Sequence, residues 1–287
     1  MKFTKMHGCG NDYIYIDGAR ECIPQEKKAE VVRFLSDRHF GIGGDGVIFI
    51  NPSHEADFEM EMYNADGSRA EMCGNGIRCV AKYVYDKGMI DREQFSVISA
   101  GQVKHITLET EEKKEGRRAV TARVNMGSPI LAAREIPVVS SGEKVIGEEI
   151  IVDGKIWHMT CVSMGNPHAV VFVDDVRHFP IETVGPLFEN HEKFPKRINT
   201  EFVHVIDRGH VEMRVWERGT GETLACGTGC CATAVACVLN GLTEREVTVH
   251  VLGGDIFVQW NEAENTVYMT GPAETVFEGE IACSGKL

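Results

Sequence analysis

Hydrophobic and polar residues alternate along much of this chain, which is the pattern of strands that have one face in a core. At residues 58–63, three apolar side chains alternate with the carboxylates of Glu59 and Glu61, and this period of two predicts a half-buried strand. Similar apolar runs predict further strands at 47–50, 95–99, 103–108, 120–126, 158–163, 169–173, 201–206, 211–216, 247–251 and 256–260.

Three segments show a helical period instead. The first covers residues 25–39 and is expected to end at Gly41. The second begins at residue 74, repeats apolar residues at steps of three and four, and reaches Gly88, which suits a C-terminal cap. The third, 227–239, consists of small and apolar residues, and its low bulk predicts a helix that lies inside a curled sheet.

Many strands with one central helix in each half predict an α+β fold. We expect two similar domains, each a mostly antiparallel β-sheet curled around a central helix, related by internal pseudo-symmetry. A strand that ends in Met-Gly-Ser-Pro near residues 125–129 marks the boundary, which gives domains of 1–125 and 126–272. The charged run at 111–118 is predicted to be a solvated hairpin loop.

One motif occurs twice in the chain. Residues 59–81 align without a gap on residues 212–234, at a constant offset of 212 − 59 = 153. Each copy ends in Cys-Gly-x-Gly at the start of a predicted helix, with Cys73 and Cys226 at equivalent positions. A single buried cysteine is usually inert. Because core packing does not require this motif at both positions, the duplication favours a function for both thiols.

A pair of thiols at helix N-termini suits proton transfer. Unpaired backbone N–H groups and the helix dipole are expected to lower the thiol pKa from about 8.5. One thiolate and one thiol then remove a proton from one face of a carbon and return one to the other face. The helix N-termini would stabilise a carbanion that carries a carboxylate. Disulfide oxidoreduction is the less favoured alternative, because its cysteines usually lie close in sequence.

Polar residues near the two motifs are further candidates. Glu217 and Asn64 each lie nine residues before their cysteine, so both are expected to reach the pocket from a strand end. Asn166 can cap or bind, and His168 can pair with a thiol or act as a structural hydrogen-bonding group. Arg218 can grip a carboxylate with two hydrogen bonds, or make an exposed salt bridge.

Composition and charge narrow the classes of function. The 287 residues are 43% hydrophobic and 25% charged, as in globular proteins, and the net charge of −13 argues against a nucleic-acid partner. No apolar run is long enough to span a membrane, and no apolar run follows the N-terminal lysines, so a cytoplasmic location is expected. The ten cysteines are then expected to be reduced.

Motifs for metals and nucleotide cofactors are absent from the sequence. There is no Cys-x-x-Cys pair, P-loop, Gly-x-Ser-x-Gly elbow or His-Glu-x-x-His helix. The glycine-rich run at 41–46 precedes a strand-like segment rather than a helix, which argues against a dinucleotide site. We therefore expect neither a metal nor a cofactor.

Five blocks of the sequence together resemble the diaminopimelate epimerase family. They are MHGCGNDYIYID (6–17), DRHFGIGGDGVI (37–48), YNADGSRAEMCGNGIRC (63–79), SMGNPHAVVFVDD (163–175) and WERGTGETLACGTGCCA (216–232). The resemblance implies a cofactor-independent isomerase that interconverts LL- and meso-diaminopimelate in lysine and peptidoglycan biosynthesis. It also implies two domains that close over the substrate, with residues 273–287 packed back on the N-terminal domain.

The resemblance also implies roles for individual residues. Cys73 and Cys226 match the two acid/base cysteines, and His168 and Glu217 match the groups that assist them. The implied substrate-binding residues are Asn11, Asn64, Gly74, Asn75, Asn166, Asn199, Glu217, Arg218, Gly227 and Thr228. The chain departs from the family at Cys9, where leucine is usual, and at Gly46, where some members have a glutamine that contacts substrate.

Other functions remain open at this point. Proline or hydroxyproline epimerases and histidine racemases resemble the same architecture, although the polar set favours a substrate with a second zwitterionic end. A thiol-redox or metal-binding protein would use Cys226, Cys230 and Cys231, and a small-ligand binder would need no reactive thiol. The expected partner is a small amino acid, with no nucleic acid and no membrane, and a homodimer is a plausible assembly.

Overall fold

The computed structural model describes residues 1–70, 73–114 and 116–282. Contacts within the chain divide it into two units, which we call unit 1 (Met1–Val124 with Gly271–Leu287) and unit 2 (Asn125–Thr270). In the part of the chain that the structure describes, no helix is long and apolar enough to cross a membrane.

Each unit contains two helices and a set of strands. The helices are α1 (Gln25–Ser36), α2 (Gly74–Asp86), α3 (Ile181–Glu189) and α4 (Gly227–Leu239). The strands of unit 1 begin with β1 (Lys2–Gly8), β2 (Asn11–Asp17), β3 (Gly46–Pro52), β4 (Phe58–Asn64), β5 (Gln94–Ser99), β6 (Gln102–Lys113) and β7 (Gly116–Gly127). Those of unit 2 are β8 (Glu148–Val152), β9 (Lys155–Ser163), β10 (Pro167–Phe172), β11 (Asn199–Val205), β12 (His210–Glu217), β13 (Gly221–Thr223), β14 (Glu246–Val251), β15 (Gly254–Asn261) and β16 (Thr266–Pro272). The last strand, β17 (Glu274–Glu280), belongs to unit 1.

The strands of the two units follow the same order and the same pattern of parallel and antiparallel pairs. In unit 1 the order is β17, β1, β2, β3, β4, β5, β6 and β7, with β2–β3 and β4–β5 parallel and the other pairs antiparallel. In unit 2 the order is β8, β9, β10, β11, β12, β14, β15 and β16, with β10–β11 and β12–β14 parallel. The predicted fold class, two similar and mostly antiparallel α+β halves, is confirmed.

The central helix of each unit is the one that follows Cys-Gly-x-Gly. Helix α4 is buried from Gly227 to Cys237 and packs against β9, β10, β11, β14 and β15. Its small side chains allow this many strands to approach, as the sequence predicts. Helix α2 packs against β1, β2 and β6 and ends at Asp86, with Lys87 as its C-cap. Gly88 follows at φ 65°, a left-handed conformation that glycine adopts without strain.

The outer helices complete the two cores. Helix α1 places Val32 and Leu35 in a core with Ile14 and Phe49, and α3 places Phe188 in the core of unit 2. The sequence analysis missed α3, because Gly185 and Pro186 interrupt its helical pattern. A Cβ atom at residue 185 would lie 2.6 Å from the Trp216 ring, so the close packing of α3 on β12 requires glycine there.

Helix α1 ends three residues earlier than predicted, at Ser36 rather than at residue 39. Asp37 adopts an extended backbone (φ −60°, ψ 121°). Its carboxylate accepts hydrogen bonds from the backbone N–H groups of His39 and Phe40, both at 2.8 Å. These bonds replace the helical ladder, since aspartate competes for backbone donors near helix ends.

The alternation along β4 predicts that Glu61 faces solvent, and this is wrong. Glu61 is only 4% exposed, because α1 covers that face of the strand. Its carboxylate pairs with Lys28 of α1 and accepts hydrogen bonds from Asn51 at 2.9 Å and Tyr63 at 2.8 Å. A buried carboxylate is tolerated when it is paired and hydrogen-bonded in this way.

The loop prediction for residues 111–118 is also wrong in extent. Pairs Glu111–Arg118 and Glu112–Arg117 continue the ladder between β6 and β7. Glu111, Glu112 and Arg117 are exposed and Arg118 is half-buried. Opposite charges face each other across the strands, which stabilises the pairing. The run is therefore a solvated hairpin arm rather than a loop.

Candidate active site

The two repeated cysteines each stand at the N-terminus of a central helix, and polar residues of the same unit surround each one. We call the group in unit 1 the Cys73 cluster, which comprises Cys73, Asn11, Asp45, Asn64 and Asn75. We call the group in unit 2 the Cys226 cluster, which comprises Cys226, Glu217, Thr228, His168, Glu201 and Asn166.

In unit 1, Cys73 caps helix α2 with its own side chain. The residue is extended (φ −120°, ψ 112°), and its Sγ accepts a hydrogen bond from the Gly76 N–H at 3.3 Å. The thiol in turn donates to Oδ1 of Asn11, the first residue of β2, at 3.3 Å. A half-buried thiol therefore lies between a helix N-terminus and a side-chain carbonyl.

An acidic residue fixes the amide of Asn11. Its Nδ2 donates to Oδ2 of Asp45 at 2.8 Å, which leaves Oδ1 turned toward Cys73. Asp45 is held in turn by Arg38, whose guanidinium also pairs with Asp12. The sequence analysis did not identify Asp45 as part of the site, although it lies in one of the blocks that carry the family resemblance.

The other predicted residues of unit 1 lie at the end of β4 and in the first turn of α2. Asn64 is exposed at the end of β4 and donates from Nδ2 to Ser68 Oγ at 3.1 Å. Gly74 and Asn75 form the first turn of α2, and Nδ2 of Asn75 lies 3.5 Å from Oδ1 of Asn11.

In unit 2, Cys226 occupies the equivalent N-terminal position of α4 and is 5% exposed. Its Sγ lies 3.5 Å from Oγ1 of Thr228, with Gly227 between the two residues. The thiol also hydrogen-bonds the carboxylate of Glu217, the last residue of β12. Glu217 accepts a second hydrogen bond from Thr223 Oγ1 at 2.5 Å.

The expected low pKa of the second thiol is wrong. Burial raises the pKa of Cys226 well above its ordinary value, and the nearby carboxylates of Glu217 and Glu201 raise it further. Burial also raises the pKa of Glu217, although its bonds to Thr223 and Cys226 oppose that shift. Loss of water around the sulfur outweighs the helix terminus here, so Cys226 rests as a protonated thiol.

His168 contacts a carboxylate and an amide rather than a thiol. The ring is fully buried, with Nδ1 2.7 Å from Oε1 of Glu201 and Nε2 3.0 Å from Oδ1 of Asn166. Both ring nitrogens are thus engaged, and of the two roles left open for His168 the contacts in the structure are those of a hydrogen-bonding group. His168 is the second residue of β10, and its two ring contacts are Glu201 and Asn166.

Asn199 and Arg218 shape the turn after β12. The Asn199 side chain donates to the Pro167 carbonyl at 2.9 Å and accepts from the Arg218 N–H at 2.9 Å. The Arg218 guanidinium donates to the Lys196 carbonyl at 3.1 Å. Glu189 of α3 accepts from the Gly219 N–H at 2.9 Å and anchors the same turn, a role that the sequence analysis missed.

The strand registers show which residues are equivalent in the two clusters. Ile48 pairs with Met62, and Glu201 pairs with Val215, at the same offset of 201 − 48 = 153 and 215 − 62 = 153. The carboxylate of Glu201 therefore occupies the place that an isoleucine side chain fills in unit 1. The sequence analysis missed Glu201, although a carboxylate aligned with an apolar strand residue of the duplicated unit is a usable signal.

The structure also shows what surrounds Cys9 and Gly46, the two residues that depart from the family pattern. Cys9 is buried, and its Sγ accepts a hydrogen bond from Arg78 Nη2 at 3.7 Å. A Cβ atom at Gly46 would lie 2.0 Å from the Tyr63 carbonyl oxygen, so this backbone cannot accept a glutamine without moving. Cys230 and Cys231 are buried in α4, and no metal-binding group of three or more His, Cys, Asp or Glu residues occurs among the described residues.

Comparison with known proteins identifies relatives over nearly the full length. The family model for diaminopimelate epimerase matches residues 3–132 and 160–276. A diaminopimelate epimerase from Methanococcus maripaludis (strain C5) is 56% identical over 281 residues, covering 98% of this chain and 99% of that protein. One from Agathobacter rectalis is 56% identical over 288 residues, with the same coverage of 98% and 99%.

Solved structures with the same fold are more distant in sequence. A PhzF-family phenazine biosynthesis protein from Bacillus anthracis matches with a TM-score of 0.68 at 15% identity, covering 98% of this chain and 99% of that one. A hydroxyproline epimerase from Agrobacterium vitis, with bound trans-4-hydroxy-L-proline, matches with a TM-score of 0.66 at 14% identity, covering 98% and 90%. At these identities the likeness shows the shared fold.

Proposed function

This chain belongs to the diaminopimelate epimerase family, and we propose that it interconverts LL- and meso-diaminopimelate by proton transfer at one α-carbon between two thiols. The observation that carries the proposal is the pair of cysteines that begin the central helices of two units with the same topology. Identity of 56% to proteins of that name over 98% of the chain supports the substrate.

Each step balances with the groups at hand. One sulfur, as thiolate, takes the α-hydrogen as a proton, and the electron pair of the broken C–H bond passes into the carboxylate as an enolate-like carbanion. The other sulfur, as thiol, gives its proton to the opposite face of the same carbon, which leaves the two sulfurs with exchanged protonation states. The reverse reaction starts from that exchanged state.

The resting structure supports a direction for the first step. Cys226 is the thiol, because burial and two carboxylates disfavour its anion. Cys73 is then the group that gives up its proton, which passes to solvent water before the reaction, and the Gly76 N–H at 3.3 Å stabilises the negative charge on its sulfur. We therefore assign the initial base to Cys73 and the initial acid to Cys226.

Substrate binding is proposed to use the groups around both thiols. The helix N-termini at Gly74 and Gly227 offer backbone N–H donors to a carboxylate. Asn64, Asn166 and Arg218 supply side-chain donors for the remaining charged groups of a substrate with two zwitterionic ends. Asn199 contributes by holding the turn that carries Arg218.

The proposed function is accompanied by proposals for the location, the binding partner and the assembly of the protein. We place the enzyme in the cytoplasm, where small amino-acid precursors are made, and we propose a small amino acid as its binding partner. A homodimer stays a prediction, and light scattering of the purified protein tests it.

The test of the function is solvent exchange. The protein is incubated with LL-diaminopimelate in deuterated water, and deuterium at the α-carbon is followed by mass spectrometry. We expect incorporation together with formation of the meso isomer, without added cofactor. No exchange with diaminopimelate, combined with exchange in proline or histidine, would overturn the choice of substrate.

A further inference from the structure

We propose that Glu201 is a positioning residue for this reaction: it holds His168 as a ring that donates from both nitrogens, and so fixes the Asn166 amide with its NH2 group as the face that binds substrate. The inference rests on the proposed function, because it assigns a purpose to Asn166. It concerns a residue that neither the duplicated motif nor the family resemblance singles out.

The three side chains form a chain of short contacts away from water. Glu201 and His168 both have no exposed surface. Oε1 of Glu201 lies 2.7 Å from Nδ1 of His168, and Nε2 lies 3.0 Å from Oδ1 of Asn166. Asn166 itself is partly exposed, so the chain runs from a buried carboxylate to a side chain that a ligand can reach.

The chemistry of the two contacts sets the state of the ring. An ionised carboxylate and an amide oxygen can only accept hydrogen bonds. A ring that faces an acceptor on both sides must carry hydrogen on both nitrogens, and Glu201 balances the resulting positive charge. Without that carboxylate the ring would be neutral. Its Nδ1–H tautomer leaves Nε2 bare, and Asn166 would then turn its NH2 toward the ring, so the amide would no longer be held in one orientation.

Burying the carboxylate of Glu201 costs free energy, which a merely structural residue would avoid. Its Oε2 has no hydrogen-bond partner among residues 1–70, 73–114 and 116–282. A Cβ atom at Gly229 would lie 2.7 Å from its Oε1, so the carboxylate lies directly against the first turn of α4. A buried carboxylate with an unsatisfied oxygen calls for a specific explanation, and its hold on His168 supplies one.

Unit 1 shows the alternative arrangement. There the equivalent of Glu201 is Ile48, and the equivalent of Asn166 is Asn11, because Tyr13 pairs with Gly46 as His168 pairs with Asn199. Asp45 binds the NH2 of Asn11 directly and leaves its oxygen toward Cys73. In unit 2 the ring of His168 stands between acid and amide, so the amide is held by its oxygen instead. The two asparagines thus present opposite faces.

A pair of matched variants tests the kinetic consequence. Glu201→Gln keeps the size of the side chain and removes its charge. Glu61→Gln makes the same change at another buried, ion-paired carboxylate, which lies outside both clusters. In diaminopimelate epimerisation we expect Glu201→Gln to lose about 10²-fold in kcat/KM, the scale of a misplaced binding group. Glu61→Gln should stay within about twofold of wild type, even if its stability falls as much.

The state of the ring is measured without substrate. In the wild-type protein labelled with ¹⁵N at histidine, both nitrogens of His168 should show the shifts and attached hydrogens of an imidazolium, and only one nitrogen should do so in Glu201→Gln. The wild-type spectrum decides this point even if the variant fails to fold.

The outcomes are separable from those of the proposed function. If the wild type exchanges no α-hydrogen of diaminopimelate, the proposed function is wrong, while the imidazolium signal still reports on the ring. If the wild type is active but its His168 is neutral, or if Glu201→Gln is as active as Glu61→Gln, the positioning role of Glu201 is wrong.

Discussion

The Cys73 cluster and the Cys226 cluster have the same backbone and different contents. Both cysteines are extended residues at a helix start, with φ/ψ of −120°/112° and −121°/110°. Cys73 is half-buried beside an asparagine oxygen, whereas Cys226 is buried beside two carboxylates. The two units thus share the backbone geometry of the thiols and differ in the charged groups that stand beside them.

This difference suits a reaction that needs unlike partners. Two identical environments would give two thiols of equal acidity, and neither would be poised as the acid. Glu217 replaces Asn64 at the strand end, and Glu201 replaces Ile48 beneath the helix. Both changes add negative charge near Cys226, which keeps its proton in place.

The largest expected effect is loss of either thiol. Cys73→Ala and Cys226→Ala each remove one proton-transfer group, so each should lower the epimerisation rate by about 10²–10⁴-fold or more. Cys22→Ala, at an exposed cysteine, is the control and should retain full activity. Near-full turnover in either active-site variant would break the comparison, because one thiol would then suffice.

Removing the carboxylate of Glu217 should make the surroundings of Cys226 less negative and so more like those of Cys73. Glu217→Gln takes away a negative charge that raises the pKa of Cys226, so the pKa should fall and the thiolate should form at lower pH. We expect about a tenfold loss in activity, because the variant lacks the carboxylate that hydrogen-bonds the thiol and holds it in place as the acid. The ¹³Cβ shift of Cys226, followed over pH, measures the change, and an unmoved or higher midpoint would contradict it.

The glycines of the two first turns should differ in their tolerance of a methyl group. At Gly229 a Cβ atom meets Oε1 of Glu201 at 2.7 Å, whereas at Gly76 it meets Cδ1 of Ile48 at 2.8 Å and Cε of Met60 at 3.1 Å. Flexible apolar ends can shift, but Glu201 is held by His168. Gly229→Ala should therefore lower the free energy of unfolding by about 1–3 kcal/mol.

Gly76→Ala is the matched variant, and urea unfolding compares the two. We expect Gly76→Ala to be less destabilising than Gly229→Ala. Equal losses in both would mean that Glu201 yields as easily as Ile48 does.

The last expected effect is absent near neutral pH and concerns stability at high pH. Burial raises the pKa of Cys79 in α2 and of Cys237 in α4 to about 12. The folded chain then binds these protons more tightly than the unfolded chain. The stability is present below about pH 9 and is lost as pH rises toward 12, by up to about 1.4 kcal/mol per pH unit for each thiol.

Cys237→Ala should make the free energy of unfolding fall less steeply with pH, because one of the two buried thiols is removed. Urea unfolding of wild type and variant at several pH values above 9 measures the two slopes. Parallel slopes would show that Cys237 titrates alike in the folded and unfolded chain.

The sequence predicts the repeated framework well. The strand β4 and the bounds of α4 follow from local pattern alone, and the duplicated motif correctly places both cysteines at helix N-termini. The family resemblance is confirmed by the match over residues 3–132 and 160–276. The proposed roles of the individual site residues stay predictions.

The features that the sequence did not predict depend on contacts between distant segments. Glu61 is buried because α1 lies across its strand, and the pKa of Cys226 is raised because β11 and β12 bring Glu201 and Glu217 beside it. Helix α3 is not predicted because Gly185 interrupts its helical pattern, and that glycine is required by the close contact with the Trp216 ring. A local sequence pattern does not show which distant residues will be neighbours. The constant offset between the repeats does give such information, because it aligns Glu201 with the apolar Ile48.

The most direct test of two unlike thiols acting on one carbon is the fate of hydrogen early in the reaction. LL-diaminopimelate is converted in deuterated water, and substrate and product are separated after a small fraction has reacted. We predict deuterium at the α-carbon of the meso product and unchanged protium in the remaining substrate, because the acid carries a solvent-derived hydrogen and the base a substrate-derived one. A product that retains the substrate's own hydrogen, or substrate that gains deuterium as fast as product does, would show that a single group performs both transfers.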